Sequence, residues 1–317
     1  MVAWRRWATL AAALWAAAHI GAVVGCERPR QPAGASAPAA NSPDPAASAR
    51  GREGGAASAP GSVPSTEGAP RPRGLFAVVA WEESPRPETW HNPVLDGVVV
   101  RTYWRNINPR VGTYDWSSLD RAFDAAEAAH KRIHLIVAPG FYSPPFILDD
   151  PAIAKARFDV PKGPRHKADL GASLPLPWDE RYLASWFGFV DLLGQRYRAR
   201  QGLGYVSITG PNSHNGEVSL PRDVDDTRTW LGLVGGDPEL LASRLSSAWH
   251  QAIDRFCVAF RGRWATLAIV RRSLPLARAA DLDERYQRGL AEYGATRCPE
   301  AFGMQTNGLD AKLGVEA

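Results

Sequence analysis

At 317 residues, 45% hydrophobic and 22% charged, the chain is long enough for one large domain or two ordinary ones, and it is neither fibrous nor wholly unfolded. Its formal charge of +4 and pI near 9.1 come from the first 73 residues, where arginines outnumber acids, while 74–317 is electrically balanced. That balance speaks against a nucleic-acid partner, because phosphate binding leaves a basic footprint on the folded part.

Residues 1–26 open with Arg5 and Arg6, continue in an apolar, alanine-rich run from Trp7 to Gly25 and reach Cys26. This is the layout of a secretion signal. His19 and the many alanines make the run a poor permanent membrane span. Val23-Val24-Gly25-Cys26 resembles the lipobox of bacterial lipoproteins. The resemblance implies cleavage before Cys26, lipidation of its thiol, and attachment to a membrane of the bacterial cell envelope through acyl chains. Glu27 in place of the aspartate that retains such proteins at the inner membrane favours the outer one.

Residues 27–73 hold many Pro, Ala, Ser and Gly, no aromatic residue, and Val63 as the single aliphatic larger than alanine. Such a segment has nothing to bury against its chain entropy and reads as a disordered tether.

From Gly74 to Ala317 short apolar runs alternate with amphipathic stretches, the pattern of βα units around a parallel sheet. Strands are predicted at Leu75 to Trp81, Val98 to Trp104, Ile133 to Pro139, Tyr205 to Gly210, Thr266 to Val270 and Phe302 to Asn307. Helices are predicted from Ser117, with Asp120 as partner in a capping box, over Asp179 to Arg198, from Asp237 onward, and over Asp281 to Tyr293. Two strand-to-helix connections, Gly140 to Trp178 and Pro211 to Gly236, are long, and both follow strand C-termini, the end at which βα barrels build their sites.

The cysteines left after Cys26 are Cys257 and Cys298. In an oxidising compartment they either pair or stand as two buried thiols. There is no CxxC, and His130 and His134 straddle a helix end and a strand start, so neither a metal site nor a cofactor is expected.

The stretch Asp96-Gly-Val-Val-Val-Arg101-Thr-Tyr-Trp104, followed by Asn108-Pro109 and Gly112-Thr-Tyr114-Asp115-Trp116-Ser-Ser-Leu119-Asp120, is similar to the second βα unit of (β/α)8-barrel glycoside hydrolases of the β-galactosidase-like group. The likeness continues through Trp186 to Tyr197, Tyr205 to Gly210 and Phe302 to Leu309. It implies a TIM-barrel-type α/β fold, a carbohydrate ligand, and, after the fourth strand, an acid/base carboxylate. Glu217 is the glutamate within reach, although the group places Asn directly before that Glu and here Asn212 is five positions away. Trp81, Arg101, Trp104, Phe141, Tyr142, Asn212, His214, Gln305 and Asn307 fall at or beyond strand C-termini, where aromatic faces and polar groups would take a sugar. Glu82 and Glu83 are further carboxylates on the same side.

Only six of the eight βα units of a barrel are legible, and no residue stands for the nucleophile that retaining members place after the seventh strand. The expectation is a barrel domain that is C-terminally truncated, a catalytically inactive carbohydrate-binding relative, or one that closes by association with another chain. The oligomeric state is left open.

Overall fold

The computed structural model describes residues 71–158 and 172–306. The signal, Cys26, residues 27–70 of the tether and Asn307 lie outside the described residues. In chain order the elements are β1 (Phe76–Val78), α1 (Pro87–His91), β2 (Gly97–Tyr103), α2 (Trp104–Ile107), α3 (Ser117–Ala128) and β3 (Arg132–Ala138). A 3-10 turn at Gly140–Tyr142 leads to α4 (Pro145–Leu148), β4 (Lys155–Phe158), β5 (Ala172–Pro175), α5 (Glu180–Tyr197) and β6 (Leu203–Ser207). Then come α6 (Val224–Gly232), α7 (Pro238–Ala259), β7 (Trp264–Ile269), α8 (Ala280–Arg297) and β8 (Phe302–Thr306).

Six strands form one parallel sheet in the order β1-β2-β3-β6-β7-β8. Within this sheet the strands stand side by side in the order they occur along the chain, with no reversal, so the winding is of the barrel type and not the doubly wound type. The sheet curls into a half-barrel with flanking helices, and β1 and β8 are its edges. These are the six strands expected from the apolar runs, with ends shifted by a few residues: β6 begins at Leu203 and stops at Ser207.

Alternation along the strands divides the sheet in two. Val98 and Val100 of β2, Ile133, Leu135 and Val137 of β3, Val206 of β6, and Ala265 and Leu267 of β7 join one hydrophobic cluster with the helices. The helices meet them with the stripes read from sequence: Leu183, Trp186, Phe187, Val190 and Leu193 of α5, and Leu241, Leu245, Trp249, Ile253 and Phe256 of α7, are all buried. The alternate residues, among them Val99, Arg101, Tyr103, His134, Ile136, Tyr205, Ser207, Thr266 and Ala268, stand outside that cluster and belong to the other, concave face.

The structure corrects several local readings. Ser117 does not cap α3: it is the first helical residue, and its N–H donates to Asp115 Oδ1 at 3.0 Å. Asp120 serves a different purpose, accepting from Tyr197 Oη at 2.9 Å and from Arg196 Nε at 2.9 Å to pin α3 to α5. The long connection after β3 contains the antiparallel pair β4 and β5, and the one after β6 contains α6, which starts in a true capping box between Asp223 and Asp226. Cys257 of α7 and Cys298, the residue that ends α8, are joined in a disulfide with Cα atoms 6.2 Å apart.

Candidate functional site

The C-terminal ends of β1, β2 and β3 carry a stack of three rings. Trp81, in the turn after β1, lies parallel to Tyr103 at 4.8 Å between centroids and 2° between planes. Tyr103, the last residue of β2, in turn stacks on Tyr142, in the 3-10 turn after β3, at 3.8 Å. Two guanidinium groups frame the stack: Arg101 lies 5.1 Å from the centre of Trp81, and Arg105 lies 4.6 Å from Tyr142 and 5.7 Å from Tyr103. Arg101 is held by Nε donating to the Val79 carbonyl at 2.9 Å, so the end of β1 orients it. Glu82 has the left-handed φ of 64°, its N–H reaches the Arg101 carbonyl at 3.2 Å, and its carboxylate accepts from Asn106 Nδ2 at 2.6 Å. A glutamate in that backbone region is strained, and the contacts on both sides hold it there.

The second half of the rim is built by residues 211–220. Ser207 ends β6, yet β7 continues, and the chain returns to it: Val218 N–H donates to the Ala268 carbonyl at 2.7 Å and Glu217 bridges Ala268 in parallel. Ala268 is paired with Gln305 on its other side. Residues paired across parallel strands point to the same face, so Glu217, Ala268 and Gln305 form one row on the concave side. Thr266 Oγ1 approaches Gln305 Oε1 at 3.3 Å. The Glu217 carboxylate accepts from Asn215 Nδ2 at 2.7 Å.

Two glycines let this loop lie so close. A Cβ on Gly140, whose φ is +69°, would stand 2.1 Å from the Ser213 carbonyl oxygen, and one on Gly216 would stand 2.5 Å from Ile136 Cγ2. Helix α5 fixes the other root of the loop: Tyr182 Oη donates to the Gly210 carbonyl at 2.9 Å and Trp186 Nε1 to the Thr209 carbonyl at 3.0 Å. The loop is therefore a built feature, tied to β3, β7 and α5 at once.

Of the residues picked from sequence, Trp81, Arg101 and Tyr142 come together at one part of the rim, and Glu217 and Gln305 at another. Trp104 does not join them: it is 0% exposed in the helix-side core against Trp186 and Phe189, with Nε1 donating to Asn108 Oδ1. The reason is parity, since Trp104 follows Tyr103 by one residue and turns to the opposite face. Phe141 is likewise part of the hydrophobic core. Asn212 is 2% exposed and spends its amide inside the loop, accepting from Gly210 N–H at 2.8 Å and donating to the Asn215 carbonyl. His214 Nδ1 lies 2.8 Å from Ser213 Oγ. Sequence reasoning passed over Tyr103 and Arg105; the parity that joins Tyr103 to Arg101 was available to find the first, whereas Arg105 needed the turn of α2.

The concave face deepens into groups held neutral by burial. His134, paired through Nε2 with Ser207 Oγ at 2.8 Å and stacked on Tyr205 at 3.9 Å, is pushed down to about 3 because burial penalises its charged form. Tyr205 is pushed up to about 12 for the same reason. The Tyr103 hydroxyl is also raised, by burial first and then by Tyr142 and Glu82, so it stays a protonated donor.

Two surface cavities lie elsewhere, of about 310 Å³ beside Trp178 and of about 490 Å³ between Tyr114 and Gly188 on the helix layer. Among the described residues no cluster of His, Cys, Asp or Glu is arranged to hold a metal ion, and no helix is long and apolar enough to cross a membrane.

No family model and no curated protein matches the chain. Among solved structures it is similar to the β-galactosidase from the psychrophilic Marinomonas ef1, with 15% identity, a TM-score of 0.42, and coverage of 62% of this chain and 37% of that one. It is similar to the β-galactosidase from Bacillus circulans sp. alkalophilus, with 11% identity, a TM-score of 0.42, and coverage of 63% and 37%. It is also similar to the xylanase XynB from Paenibacillus barcinonensis, with 12% identity, a TM-score of 0.42, and coverage of 74% and 59%. The chain spans less than two thirds of the length of each of these proteins.

Proposed function

We propose that this chain is a lipid-anchored protein of the bacterial cell envelope whose folded domain takes a glycan on the rim of its half-barrel, with Glu217 as the carboxylate that acts on the glycosidic bond. The observation that carries the reading is the stack of half-buried Trp81, buried Tyr103 and half-buried Tyr142, framed by Arg101 and Arg105, on the same C-terminal rim of the sheet as the row of Glu217 and Gln305. Ring faces suit the C–H surfaces of a pyranose, and the amide, guanidinium and carboxylate groups suit its hydroxyls. Trp81, Arg101, Tyr142, His214 and Gln305 are the proposed sugar contacts. Lipidation at Cys26 and the outer-membrane address rest on the sequence pattern alone.

The test is turnover of aryl glycosides and of envelope-type oligosaccharides by the full chain and by Glu217→Gln. Hydrolysis lost in Glu217→Gln with the fold intact supports the reading; hydrolysis unchanged in that variant overturns the role of Glu217.

A second reading, glycan binding without turnover, is favoured by the strand order. Glycosidases hold their two carboxyl groups about 5 to 9.5 Å apart. Glu82 follows β1 and Glu217 sits beside β7, with β2, β3 and β6 between those strands. Binding that survives Glu217→Gln and fails in Trp81→Ala, with no hydrolysis by either protein, would select it.

A further inference from the structure

We propose that the rim selects an acidic saccharide, one carrying a carboxylate, and that Arg105 is the group that reads the charge; this rests on the glycan reading above and narrows it. Arg105 is the second residue of α2, a turn locked by the buried Trp104 through its bond to Asn108. Its guanidinium is exposed and lies over two rings, Tyr142 and Tyr103.

Three other arginines seated on rings are completed by an acid. Arg196 lies over Trp116 and Tyr197 and binds Asp120; Arg200 lies over Phe123 and binds Glu127 and Asp124; Arg255 lies over Phe187 and binds Asp191. Arg105 has no carboxylate within ion-pair distance among the described residues. Arg71, over Trp264, and Arg244, over Trp178, have none either among the described residues, but neither ring belongs to the strand-end stack. Glu82, which follows β1 on the same rim, is taken by the neighbouring Asn106 amide at 2.6 Å instead of by Arg105.

A guanidinium seated on a ring keeps its in-plane N–H groups directed outward, and that planar fork matches a carboxylate with two parallel hydrogen bonds. A uronic acid set against the edge of the ring stack would bring its carboxylate to this fork. The Tyr103 hydroxyl, held protonated, adds no opposing negative charge.

The test measures binding of galacturonate trisaccharide and of its neutral counterpart, galactotriose, to the full chain by calorimetry at low and high salt. The proposal expects the acidic sugar to bind about tenfold tighter or more, the size of a charge-assisted pair, with the preference shrinking at high salt. It expects Arg105→Gln to remove the preference and Arg105→Lys to restore part of it. Arg105 is exposed, so both variants should fold, and an unchanged thermal midpoint checks that. Equal affinity for the two sugars, or a preference unchanged in Arg105→Gln, overturns the proposal and leaves the glycan reading standing. Binding of neither sugar overturns both.

Discussion

The two faces of the parallel sheet are made from the same strands and do opposite things. On the helix side every second residue is aliphatic, from Val98 to Leu267, closed over by the aromatic stripes of α5 and α7; on the concave side Arg101, Tyr103, His134, Tyr205, Ser207 and Thr266 stand among Val99, Ile136 and Ala268. One parity supplies stability through burial of apolar area. The other supplies a surface of rings and polar groups whose cohesion depends on hydrogen bonds and on the loop 211–220 folded against it. Changes on the first face should therefore show in unfolding, and changes on the second in ligand affinity.

The largest effect is expected from Trp186→Ala, which removes a fully buried ring and the hydrogen bond that anchors the root of the loop. A loss of about 3–5 kcal/mol in denaturant unfolding is expected; a loss below 1 kcal/mol would mean that the helix-side core does not hold the sheet as described.

Acidification comes next. His134 binds a proton in the unfolded chain near pH 6.5 but in the fold only near 3, so its contribution is complete above pH 6.5 and is lost as pH falls through that window. About 2 kcal/mol should be gone by pH 5. His134→Gln, which removes the titration while keeping a polar group beside Ser207, should flatten the stability curve between pH 7 and 5, and a slope equal to the parent's would show that another group carries it.

Gly140→Ala places a methyl against the Ser213 carbonyl in a left-handed backbone and should cost about 1–3 kcal/mol. It should also weaken ligand binding, because the loop that carries Glu217 must shift. The smallest stability effects, within about 0.5 kcal/mol, are expected for Glu217→Gln and Arg105→Gln, whose side chains reach the rim and not the core. Unfolding curves that superimpose on the parent's, beside altered turnover or affinity, are the signature that would complete the contrast between the faces.

The strands, their parallel order and the helix stripes were legible because each depends on local period: near-continuous apolar runs for strands covered by helices, and three- and four-residue spacing for α5 and α7. Short elements were not. The hairpin of β4 and β5 has four residues in each strand, and its pairing spans a gap in sequence that periodicity does not see. The candidate site was half legible. Trp81, Arg101, Tyr142 and Gln305 stand at strand ends in both readings, while Trp104 was misplaced by counting position along the chain without counting parity.

By itself the sequence determined that a balanced domain of alternating β and α units follows a signal-like and a Pro-rich segment, because composition and short-range period are properties of neighbouring residues. Only the tertiary structure decided that Tyr103 and Arg105 complete the aromatic plate, that Asn212 braces a loop, and that Glu217 lies beside Ala268 in register with Gln305. Those facts arise where chain segments tens of residues apart meet, and such meetings are set by the packing of helices on the sheet and by the hydrogen bonds of a returning loop, which no local pattern encodes.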